Sequence, residues 1–87
     1  MQVVSIREMS PSIGKEEIME SRMRRASGVM SRYGAKSVSY RIAAGAGAGS
    51  YLHMNLYSTY AEAASSFKAY TQDPEFTSLM RERALNP

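Results

Sequence analysis

The chain has 87 residues, eleven of them basic and eight acidic, a formal net charge of +3, and no Cys. That length admits one domain, spanning 1–87, with a small core; disulfides are excluded, which leaves dimerisation as the common route to extra burial. The charge is too slight to argue for nucleic acid or an anionic membrane, no apolar run approaches the ~20 residues of a bilayer span, and Arg7 interrupts any signal-peptide core, so a cytoplasmic protein is expected.

Residues 3–9 read as a first strand, with Val4 and Ile6 on one face and Ser5 and Arg7 on the other. Pro11 and Gly14 then break the pattern. Residues 15–33 carry helical spacing: Met19, Met23, Ala26, Met30 and Tyr33, widened by Ile18 and Val29. Glu16, Glu17 and Glu20 lead the helix and Arg32 ends it, as its dipole favours. The basic Arg22, Arg24 and Arg25 follow those acids and read as part of a mixed, solvated face. Gly34 offers a C-cap.

Residues 37–43 and 50–57 alternate as two further strands. Pairing their apolar sets puts Ile42 near Leu52, Tyr40 near Met54 and Val38 near Leu56. The Ala/Gly loop 44–49 between them contains a G-x-G-x-G string, but no helix follows it, so it reads as a mobile hairpin or lid rather than a phosphate cradle. Thr59-Tyr60-Ala61-Glu62 matches a capping box opening a second helix, with Ala63, Phe67 and Tyr70 as its stripe. Asp73-Pro74 opens a short third helix anchored by Phe76, Leu79 and Met80. The predicted core joins Leu52, Met54 and Leu56 to Met23 and Phe67.

The predicted fold is α+β: a β-α-β-β-α antiparallel sheet in the ferredoxin-like order, helices on one face, and the third strand between the first two. Residues 81–87 show no alternating apolar run, so a fourth strand is absent. Either the chain leads into a longer protein, or a partner covers the first strand's edge.

With Leu52, Met54 and Leu56 against the helices, Tyr51, His53, Asn55 and Tyr57 fall on the open face of the sheet, flanked by Arg7 and Arg41. Phenols, an imidazole, an amide and two guanidiniums suit a small anionic or phenolic organic ligand, and His53 is the candidate catalytic base. The same face serves as a homodimer interface, where Tyr and Arg are enriched. One His without Cys makes no metal site, and no cofactor is implied.

The stretch Gly47-Ala48-Gly49-Ser50-Tyr51 through Tyr57, then Ala61-Glu62-Ala63-Ala64 and Asp73-Pro74-Glu75-Phe76, resembles the dimeric α/β-barrel superfamily, which includes antibiotic-biosynthesis-type monooxygenases. The resemblance covers nearly the whole chain. It implies a ferredoxin-like sheet whose open face pairs with a second copy, and a cofactor-independent monooxygenase- or isomerase-like activity, or none. The chain departs from the enzymatic branches: it has no Trp, and His53 lies on a strand rather than on the helix where heme-binding relatives carry theirs. No catalytic residue is therefore carried over. A non-catalytic dimerisation module is the alternative. A single-stranded RNA-binding domain, with Tyr51 and Tyr57 as stacking platforms, is weaker, since the RNA-recognition signature is missing.

Overall fold

The computed structural model describes residues 2–87. In chain order the elements are β1 (Val3–Met9), α1 (Glu16–Arg32), β2 (Lys36–Arg41), β3 (Tyr51–Tyr57), α2 (Tyr60–Tyr70) and α3 (Pro74–Leu85). The strands form one antiparallel sheet in the order β1-β3-β2. This α+β arrangement is compatible with a ferredoxin-like fold.

The local signals in the sequence set the element ends. The Thr59 hydroxyl accepts from the Glu62 amide at 3.1 Å, and the Glu62 carboxylate accepts from the Ser58 amide at 3.2 Å, closing the start of α2. Asp73 caps α3 through the Glu75 amide at 2.8 Å, with Pro74 at the first helical position. The third helix is longer than the short turn expected. α1 ends in a Schellman pair: Ala35 N–H donates to the Met30 carbonyl and Gly34 N–H to that of Ser31, with Gly34 at φ +93°.

The hairpin register differs from expectation by two residues. Tyr40 opposes Leu52, Val38 opposes Met54 and Lys36 opposes Leu56. Ile42 N–H donates to the Ser50 carbonyl and Gly49 N–H to the Ile42 carbonyl, which closes the loop tighter than an Ile42–Leu52 pairing allows. A two-residue shift leaves each side chain on its own face. Gly47, at φ +80°, brings the loop against Glu8: a Cβ there would lie 2.9 Å from the carboxylate.

The larger correction concerns which face is covered. Tyr51, His53, Asn55 and Tyr57 are buried beneath the helices, whereas Leu52, Met54 and Leu56 are half-buried on the opposite face, beside the exposed Val4, Ile6 and Tyr40. Alternation fixes which residues share a face but not which face the helices take. Here the helices cover the rings, because each polar tip finds a partner there: Tyr51 donates to Glu20 at 2.6 Å and Tyr57 to Ser66 at 2.9 Å. A tyrosine brings a large apolar surface into the interior once its hydroxyl is bonded.

The core also differs in membership. Val29, Met30, Ala35, Tyr57, Tyr70 and Leu79 pack together where the C-terminal halves of α1 and α2 meet α3. Met23 is buried as expected, but Phe67 is 57% exposed and meets the Tyr70 ring edge-on at 5.5 Å. Ser66 takes the inward position instead.

Candidate functional site

Between the sheet and the helices lies a cavity of about 270 Å³. Its floor is the covered face of β1 and β3, through Ser5, Arg7, His53 and Asn55. α1 contributes Ile18, Met19, Arg22, Met23, Ala26 and Met30, and α3 closes the far side with Phe76, Leu79, Met80 and Arg83. Lys15 stands at one end. Four cationic side chains line this space, and among the described residues no Asp or Glu side chain does.

The six residues singled out from the sequence do not all line one cavity. Arg7, His53 and Asn55 line the cavity. Tyr51 and Arg41 belong to a shallower groove between α1 and β2, where the Arg41 guanidinium lies 5.8 Å from the Tyr51 ring centre. Tyr57 is part of the core and lines neither. The hairpin loop rests against Glu8 on the uncovered face, so it is no lid over the cavity.

His53 sits in a closed polar network. Its Nδ1 is 3.0 Å from the Ser39 hydroxyl, and its Nε2 is 3.1 Å from Asn55 Oδ1. Asn55 Nδ2 donates to the Met30 sulfur at 3.2 Å, and the Ser37 hydroxyl donates to Asn55 Oδ1. These contacts assign the proton to Nε2, with Nδ1 accepting from Ser39. Burial pushes the imidazole below its ordinary 6.5, the Asn55 bond opposes that, and nearby Arg7 adds to it. The ring is therefore neutral near pH 7 with both nitrogens committed, a poor general base. The Tyr51 phenol is raised above 10.0 by its bond to the Glu20 carboxylate and by burial, so it stays protonated.

Arg22 was not among the expected site residues. Its side chain is only 14% exposed, so it does not belong to the solvated face of α1. The signal was present in the helical spacing: Arg22 stands four residues after Ile18 and four before Ala26, inside the apolar stripe. Its Nε and Nη2 are buried without a hydrogen-bond partner. The nearest carboxylate oxygen, Glu82 Oε1, is 3.7 Å from Nε. Glu82 is engaged elsewhere, accepting two bonds from Arg25 at 2.9 and 3.1 Å.

Among the described residues no three His, Cys, Asp or Glu side chains gather as metal ligands, and no helix is long and apolar enough to cross a membrane. No protein-family model matches the chain, and no curated protein matches its sequence.

Proposed function

We propose that this protein binds a small anionic organic molecule in the cavity between its sheet and its helices, as a homodimer joined through the open sheet face. The carrying observation is the lining: Arg7, Lys15, Arg22 and Arg83, with no Asp or Glu side chain among the described lining residues, although Glu82 lies 3.7 Å behind Arg22. Cations around a partly enclosed apolar space raise the local concentration of anions and favour their desolvated binding. Of the residues expected to hold the ligand, Arg7, His53 and Asn55 line this cavity, on the opposite side of the sheet from the one expected. Turnover of the oxygenase or isomerase kind needs a base beside the ligand, and His53 is committed at both nitrogens. Binding is the reading this geometry supports.

The dimer rests on Val4, Ile6, Val38, Tyr40, Leu52, Met54 and Leu56, which share the uncovered face. A contiguous apolar face of that kind marks an interaction surface. Two charges border it at diagonal corners, Glu8 opposite Leu52 and Lys36 opposite Leu56. A two-fold axis along the other diagonal sets each Glu8 over the partner copy's Lys36 position, which is what an isologous interface requires. Such a face-to-face pair is the plan of the dimeric α/β barrels. A dimerisation module without a ligand accounts for this face but leaves the cationic cavity without a role.

The test is a thermal-shift screen with matched small acids, phenols and neutral molecules. Ligand that binds only the folded state raises stability by about 2.7 kcal/mol at 100-fold excess over Kd. Stabilisation concentrated among the acids supports the reading. A panel in which no acid stabilises the protein contradicts it.

A further inference from the structure

We propose that Arg22 anchors the ligand's anionic group, and that the ligand is a small monocarboxylate with a compact apolar body. The inference rests on the cavity reading and narrows it. Of the cations around the cavity, Arg7 lies on the exposed edge strand, Arg83 is exposed, and Lys15 donates to Asn86 at 2.5 Å. Arg22 alone combines burial with unbonded donors. A buried guanidinium normally has its donors satisfied, so orphaned ones identify a place where a partner belongs.

The charge balance around Arg22 itself calls for one negative charge on the group it holds. Arg25 and Arg22 share the single carboxylate of Glu82, and Arg25 holds both of its oxygens. Within this group of three one positive charge is left over, which one anionic group held by Arg22 neutralises. Nε and Nη2 are the two donors along one edge of the guanidinium plane, spaced for the two oxygens of a carboxylate. That edge is enclosed in the structure, facing Glu82, so the anchor requires Arg22 to rotate away from Glu82 and present it to the cavity. Beyond it the walls are Met19, Met23, Met30, Phe76, Leu79 and Met80, which accept an apolar body and adapt to its shape. At about 270 Å³ the space lies just under the range of sites for drug-sized ligands, so the body is small.

Benzoate and hexanoate, each against its isosteric amide, isolate the charge. NMR titration of the full chain gives the four affinities in wild type, Arg22→Met and Glu82→Gln. The acids are expected to bind wild type at least about tenfold more tightly than the amides. Arg22→Met brings acid affinity down to that of the amide, while Glu82→Gln removes the competing carboxylate and tightens the acids alone. If Arg22→Met fails to fold, the Glu82→Gln response decides. An acid preference that survives in Arg22→Met, or that Glu82→Gln leaves unchanged, overturns the anchor while the cavity reading stands. If neither acids nor amides bind wild type, both fall.

Discussion

Arg7 and His53 stand directly opposite each other across β1 and β3, on the face that the helices cover. Burial lowers the imidazole pKa, and Arg7 lowers it further. Protonation therefore favours the unfolded chain, where the group titrates near 6.5. Stability is complete above that value and declines as pH falls from it toward the lower folded-state pKa. Urea unfolding between pH 8 and pH 5 is the measurement. His53→Gln is expected to flatten the decline, and a wild type that gains stability on acidification in this window contradicts the burial of His53.

The Tyr57 hydroxyl donates to Ser66 inside the core. Tyr57→Phe leaves the Ser66 oxygen without that partner and is expected to cost roughly 1–3 kcal/mol. Adding Ser66→Ala to Tyr57→Phe should cost little more, because the orphaned group is then gone. Additive losses in denaturant unfolding would show that the two side chains are independent.

Leu79 and Leu56 report on the two faces of the sheet. Leu79 is 4% exposed in the core, and Leu79→Ala is expected to cost roughly 2–5 kcal/mol. Leu56→Ala should cost less than about 1 kcal/mol in protein dilute enough to be monomeric, and more as concentration restores the dimer. Equal, concentration-independent losses would mean that Leu56 is packed within its own protomer.

Glu8 and Lys36 test the interface by charge reversal. Glu8→Lys or Lys36→Glu alone places like charges together, and sedimentation should show a weaker dimer for each. The double variant restores the pairing, so its dimer should recover toward wild type. A double variant no better than either single one contradicts the proposed axis.

Much of the fold was legible because its signals are local. Thr59 with Glu62, Asp73 with Pro74, and Gly34 after α1 each mark an element end through a hydrogen bond or a backbone conformation that few residues supply. The sharing of one face by Arg7, Arg41, Tyr51, His53, Asn55 and Tyr57 was legible from the two-residue period. The direction of that face was not. Leu52, Met54 and Leu56 look like core by hydropathy, but hydropathy does not register that buried phenols are satisfied by Glu20 and Ser66, which lie on other elements. Arg22 is hard to read for a related reason: its charge groups it with Arg24 and Arg25, although its spacing places it with Ile18 and Ala26.

The methionines provide the most direct test of where the ligand lies. Met9, Met19, Met23, Met30 and Met80 line the cavity, whereas Met54 lies on the opposite face of the sheet. With ¹³C-methyl methionine, benzoate is titrated in at protein concentrations where the dimer is saturated. The expected result is a saturable shift of the cavity methyls, led by Met19 and Met23 beside Arg22, with the Met54 signal unmoved. A shift confined to Met54, with the cavity methyls silent, would put the ligand on the open sheet face and contradict the account.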